Sequence, residues 1–192
     1  KSGTANFLDG GVKGSLNVDM GRGHAFSIGA GYELRAPMAN TAFISPEISN
    51  DFVTNLKNER IFSSEFSYLY RNAWLSANVS GYYSRLENVT EWQNFYNDDE
   101  NSFTYVSMTG LKKEYYGVEV GAKIKLTSWL DLKTLGAMSE AKNINNVNAV
   151  YMLSKSAEVY QDKAYVMNMR ESGTPLTVGR IRLDPHVNGW FV

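Results

Sequence analysis

Residues 8–20 alternate with a period of two. Leu8, Gly10, Val12, Gly14, Leu16, Val18 and Met20 make one series, and Asp9, Gly11, Lys13, Ser15, Asn17 and Asp19 the other. The first series carries no charge and the second no large apolar side chain. Residues i and i+2 share one face of a strand, so the pattern predicts a strand. Gly21-Arg22-Gly23 predicts a tight turn, because Gly accepts positive φ. The alternation resumes over 24–35, where Phe26, Ile28, Ala30, Tyr32 and Leu34 oppose Ser27, Gly29, Gly31, Glu33 and Arg35. It returns at 60–70, with Phe62, Phe66, Tyr68 and Tyr70 opposite Ser63, Glu65 and Ser67, and again at 73–86, 112–126 and 129–140. A weaker strand is predicted at 174–183, with Arg180 and Arg182 on the polar side and Ile181 and Leu183 on the other. Trp190-Phe191-Val192 opens a further strand. The expectation is therefore seven complete strands and a stub.

The connections alternate in length. Short turns are predicted at 21–23, 71–72, 127–128 and 184–189, and long loops at 36–58, 87–111 and 141–172. Within the last, Ala157, Tyr160, Ala164 and Met167 fall at helical spacing and predict one short helix. In an up-and-down antiparallel sheet this alternation puts every short turn at one end and every long loop at the other. Bacterial outer-membrane barrels are built that way. The expected strands, about 11–15 residues long, exceed the globular mode of about 5–6 and match the length that crosses a bilayer at a tilt.

The two faces agree with that reading. The polar series collects Asp9, Lys13, Glu33, Glu65, Glu119, Lys123, Lys125, Asp131 and Lys133. So many charges need water or partners and cannot fill a dry core, but they can line a wet lumen. Arg85 is the exception on the apolar series. It sits at the loop end of its strand, where a lipid-facing cation costs about 0–1 kcal/mol rather than the roughly 2–4 of the midplane. Rings border the apolar series at both ends: Tyr32, Tyr83 and Tyr116 near the loops, and Phe26, Tyr68 and Tyr70 near the turns. Trp74, Trp129 and Trp190 follow short turns. Amphipathic rings favour the headgroup level.

Composition narrows the function classes. The chain of 192 residues has 19 basic and 20 acidic side chains, a net charge of −1 and no Cys. That balance gives no footprint for nucleic acid and no thiolate zinc site. No apolar run is long enough for a transmembrane helix, and the first residues do not read as a signal peptide. Candidate chemistry is sparse. His24 and His186 read as exposed turn residues. Asn78 and Asn88 match the glycosylation pattern, but Asn78 is expected to face the lumen. Gly29-Ala30-Gly31 lacks the third Gly and the helix of a nucleotide loop. Glu65 and Glu119 read as lumen-solvating charges rather than an acid–base pair. The expectation is no enzyme, no cofactor and no metal site. The predicted loop 87–111 is the binding candidate, because Trp92, Phe95, Tyr96, Phe103 and Tyr105 surround the acidic run Asp98, Asp99 and Glu100. Exposed rings beside polar groups are common at recognition surfaces.

Several segments resemble the TonB-dependent outer-membrane receptors. Gly31-Tyr32-Glu33-Leu34-Arg35-Ala36-Pro37 is similar to their G-x-x-x-R-A-P stretch. Asn55-Leu56-Lys57-Asn58-Glu59 with Ser64-Glu65-Phe66-Ser67-Tyr68 resembles a second, with Asn58 where Pro is usual and Ser67 where Gly is usual. Tyr116-Gly117-Val118-Glu119, Pro175-Leu176-Thr177 and Gly189-Trp190-Phe191 continue the series in order. The resemblance implies an all-β, antiparallel, up-and-down transmembrane β-barrel, with residues 1–192 an internal fragment of a larger plugged barrel of about 22 strands. It implies an active-import receptor in the bacterial outer membrane that binds a scarce solute with its extracellular loops. The expected partners are outer-membrane lipid and lipopolysaccharide, TonB through a plug region outside this chain, and a small solute (siderophore, haem, cobalamin, glycan or peptide). The SusC-like branch would add a surface lipoprotein. A passive porin, or a non-transporting barrel acting as adhesin or assembly scaffold, are the alternatives that barrel physics alone leaves open.

Overall fold

The computed structural model describes residues 5–45, 47, 49–53, 55–156, 158–173 and 176–186. These residues form one antiparallel sheet. Its main path runs in chain order through β1 (Gly10–Gly21), β2 (His24–Arg35), β3 (Glu59–Arg71), β4 (Leu75–Asn97), β5 (Ser102–Lys125) and β6 (Leu130–Asn143) to β9 (Thr177–Pro185). Two further strands, β7 (Val147–Leu153) and β8 (Val159–Ala164), form a hairpin on the outer part of β5. The seven strands of the main path are those the alternation predicts. The expected stub at 190–192, and the turn residues 187–189, lie outside the described residues.

The short connections follow from local chemistry. Arg22 and Gly23 both have positive φ, 53° and 84°, the signature of a two-residue type I′ turn. Arg71 N donates to Gly23 O at 2.7 Å, an approach so close that any Cβ at Gly23 would collide with Arg71 backbone. Between β3 and β4, Asn72 Oδ1 accepts from the backbone N of Trp74 and Leu75, at 2.9 and 2.7 Å.

Two long connections differ from the sequence expectation. Residues 87–111 are not a loop. β4 and β5 are 23 and 24 residues long, and they continue as one hairpin to a tight turn at 98–101. Residues 141–172 hold the β7–β8 hairpin, and the predicted helix does not form among the described residues there. Tyr160 and Ala164 lie in β8, Met167 follows it, and Ala157 is outside the described residues. The 36–58 connection is irregular as expected, with one 3-10 turn at Ala39–Thr41 and a bridge between Phe43 and Phe52.

Register confirms the two faces. Directly paired residues share a face, so cross-strand rungs can be followed through the sheet. One rung passes through Leu16, Ile28, Phe66, Gly81, Val118 and Met138, and the next through Val18, Phe26, Tyr68, Val79, Val120 and Gly136. The opposite face carries Glu65–Tyr82–Gly117 and Ser76–Lys123–Lys133–Arg182. Arg182 opposite Lys133 and Leu183 opposite Leu132 settle the register of the last strand as predicted.

The apolar face is bare. Leu16 is 60% exposed, Val118 43% and Ile181 79%. The two buried apolar clusters among the described residues sit elsewhere, at the loop end. Val89, Met108, Leu111, Val147 and Ala149 form one, and Ile44, Val53, Val150 and Met152 the other. The polar face is concave: a hollow of about 1000 Å³ lies over Gly11, Gly29 and Gly31, walled by Lys13, Glu33, Glu65 and Tyr82.

Rungs also give the tilt. The outermost apolar residue toward the loops is Leu34 on β2, Phe62 on β3, Tyr83 on β4, Tyr116 on β5 and Met138 on β6. That border descends three rungs over four inter-strand steps. The turn-side border descends about two. At about 6.8 Å per rung and about 4.8 Å per step, the apolar band crosses the strands at about 35–45°, the inclination of strands in a membrane barrel.

Candidate functional site

The wall changes character where it leaves the apolar band. Asn88 and Gly110 have positive φ, 60° and 83°, and the β4–β5 register slips between Leu86 and Thr90. Beyond this double bulge the hairpin extends as a separate platform. Lys113, on the polar face of the wall, reaches Glu91, so Glu91, Gln93 and Phe95 continue that face. Trp92, Asn94 and Tyr96 continue the outer one, with their partners Ser107, Tyr105 and Phe103.

The predicted binding residues are therefore divided. Trp92 stacks on Tyr105 at 5.9 Å, and Tyr96 meets Phe103 edge-on at 5.3 Å, all four on the outer face. Phe95, 51% exposed, is the one ring of the set on the inward face. Tyr105 is buried beneath the 36–58 segment, and its hydroxyl donates to Glu47 Oε2 at 3.0 Å. Burial, and then the Glu47 carboxylate, push the Tyr105 phenol above its ordinary range. Asp98, Asp99 and Glu100 make the tip turn: Asn97 Oδ1 accepts from the backbone N of Asp99 and Glu100, and Lys155 pairs with Glu100.

Three features escaped the sequence reading. Lys113, with its side chain 3% exposed, lies between Glu91 and Glu171 and ties both strands of the β4–β5 hairpin to the segment before β9. Burial opposes its charge, but the two carboxylates outweigh this and hold the ammonium above its usual range. Tyr151 stacks on Tyr160 at 5.2 Å, in the same rung as Gln93 and Val106 on the inward face. The period-two run Val147, Ala149, Tyr151, Leu153 was the signal for β7. His24 is also not a lone turn residue: its ring lies 4.6 Å from Tyr70, and Nδ1 is 2.6 Å from the Tyr68 hydroxyl.

Ion pairs recur along the polar face of the wall. Lys123 pairs with Asp131 at 2.9 Å, Lys133 with Asp184 at 2.6 Å, and Arg182 with the same Asp184. His186 Nε2 lies 2.9 Å from Asp131. Arg35 pairs with the buried Glu59 at 2.7 Å.

A single-layered antiparallel wall with an apolar, ring-bordered exterior and a concave ionic interior defines a segment of a transmembrane β-barrel. Residues 13–177 match the family model described as TonB dependent receptor-like, beta-barrel, and the chain belongs to that family. Its members are transport proteins of the outer membrane, not enzymes. Comparison with curated proteins and with solved structures found no match.

Proposed function

We propose that the whole protein imports a scarce solute across the outer membrane, gated by a plug and energised through TonB, and that the loop-end hairpins capture the solute. The sheet closes through further strands of the same barrel. Its described edges, β1 and β9, each have one neighbour, and an unpaired strand edge is costly in lipid. The observation that carries the reading is the continuity of one face. The concave ionic wall runs past the double bulge into the inward side of the platform, where Gln93, Phe95, Tyr151 and Tyr160 stand above it. Within the candidate set, Phe95 and the tip residues Asp98, Asp99 and Glu100 reach toward the solute's path. Trp92 and Tyr105 support the platform from outside, and Tyr96 and Phe103 cap its outer edge.

The register dictates the test. Thr90 pairs with Thr109, so residues 90–109 can be excised in phase and the strands rejoined by a short turn. Ferric siderophores, haem, cobalamin, oligosaccharides and peptides would be titrated calorimetrically against the full-length receptor. For whichever binds, excision is expected to weaken binding about tenfold or more while the barrel keeps its heat-resistant migration. Unchanged affinity would refute the platform as the capture site. Uptake that persists without TonB would refute active import and favour a passive channel.

A further inference from the structure

At its turn end, the polar face gathers more cations than its carboxylates satisfy. A single rung there holds Arg71, Ser76, Lys123, Lys133 and Arg182. Lys125 lies one rung nearer the turns, opposite Trp74, whose carbonyl accepts from the Lys125 backbone N at 2.7 Å. Among the described residues, Asp131 pairs with Lys123, and Asp184 with Lys133 and Arg182. Arg71 and Lys125 have no ion-pair partner among the described residues.

Arg71, Lys123 and Lys125 line one hollow of about 320 Å³, and no carboxylate among the described residues lines it with them. Ser76 stands between Arg71 and Lys123 in the rung. Each long side chain is therefore one strand spacing, about 4.8 Å, from a small residue, and the two can converge over it. Trp74, 56% exposed, walls the same hollow. It belongs to the mouth of the lumen and not to the headgroup-level rings expected from its place after a short turn. A concave site of one sign with an apolar wall focuses its field on whatever enters. Nearer the loops the same face changes sign, where Glu33 and Glu65 stand around Lys13 in the larger hollow.

We infer that Arg71, Lys123 and Lys125 form a binding site for an oxyanion, a phosphate or carboxylate group, at the turn-end mouth of the lumen. Arg71 offers the planar fork that takes two oxygens of such a group, and the two ammonium groups add point charge. The inference rests on the inward assignment of this face and not on active import. The test uses the full-length receptor in detergent micelles. Its readout is the rate at which an amine-reactive reagent modifies Lys125, followed by peptide mass spectrometry. Sodium phosphate stands for the free ion, citrate for a carboxylate-bearing solute, and sodium chloride of matched ionic strength for screening alone. A saturating oxyanion is expected to slow modification of Lys125 several-fold and to leave Lys13 unchanged. Arg71→Gln is expected to raise the concentration for half-protection about tenfold. If that variant does not fold, Lys123→Gln carries the test, with a smaller rise expected. An unprotected Lys125 in the wild type, equal protection by chloride, or unchanged half-protection in the folded variant would overturn the site. Protection by citrate alone assigns the site to carboxylate-bearing solutes and protection by phosphate alone to the free ion; both sustain it. Uptake that persists without TonB would refute active import and leave the site standing.

Discussion

At the residue scale, Lys113 is the side chain on which the loop-end architecture converges. Among the described residues it is the only cation between Glu91 and Glu171, and it is almost fully buried while they keep about a quarter of their surface. Removing one partner of such a cluster strands the other charges, a loss worth several kcal/mol when burial is complete. With partial exposure, Lys113→Met is expected to cost about 2 kcal/mol. The loss should be local: faster amide exchange in residues 147–171, with the exchange of β1–β3 unchanged. Global loosening would show that the cluster supports the wall itself. Lys113 was not legible as special, because its sequence neighbours Lys112 and Glu114 make it look like one of a solvated run. Only the fold brings Glu171 to it.

At the element scale, the wall strands were legible and the platform was not, for one physical reason. In the wall, one face meets an apolar surround and the other an ionic hollow, so most residues sort by parity. In 87–111 both faces are partly covered, the outer one by the 36–58 segment and the inner one by the apolar cluster around Leu111. Rings and polar groups therefore occur on both, and the contrast disappears. The bulge at Asn88 and Gly110 then breaks the phase. The helix expected around Tyr160 arose from spacing alone, in a strand that pairs only with β7. The candidate set was legible as a cluster of rings, but its division between two faces needed the register. The bulge is itself testable. A Cβ at Gly110 would meet open space, yet the φ of 83° disfavours any side chain there. Gly110→Val is expected to cost about 1–2 kcal/mol, seen as increased protease cleavage in 90–109 with the heat-resistant barrel retained. No change in cleavage would mean that the bulge re-forms elsewhere.

For the whole molecule, the orientation of the faces is the decisive property. Val120 lies near the middle of the apolar band, and Ser80 lies opposite Glu119 on the polar face. Val120→Arg is expected to destabilise the barrel in phospholipid vesicles by about 2–4 kcal/mol, and Ser80→Arg by less than about 1, as read from urea titrations of folding. Equal costs would contradict the assignment of inside and outside.

The double bulge has one more consequence. Within the wall, a single inserted residue would reverse every side chain beyond it, so lengths there can change only in steps of two. Past Asn88 and Gly110 the hairpin is anchored by its own turn chemistry and by a lysine clasp. Under the proposed function the hairpin is an exchangeable cassette: grafting a foreign hairpin that keeps an acid at position 91 between Thr90 and Thr109 should alter what is captured without disturbing how the wall inserts.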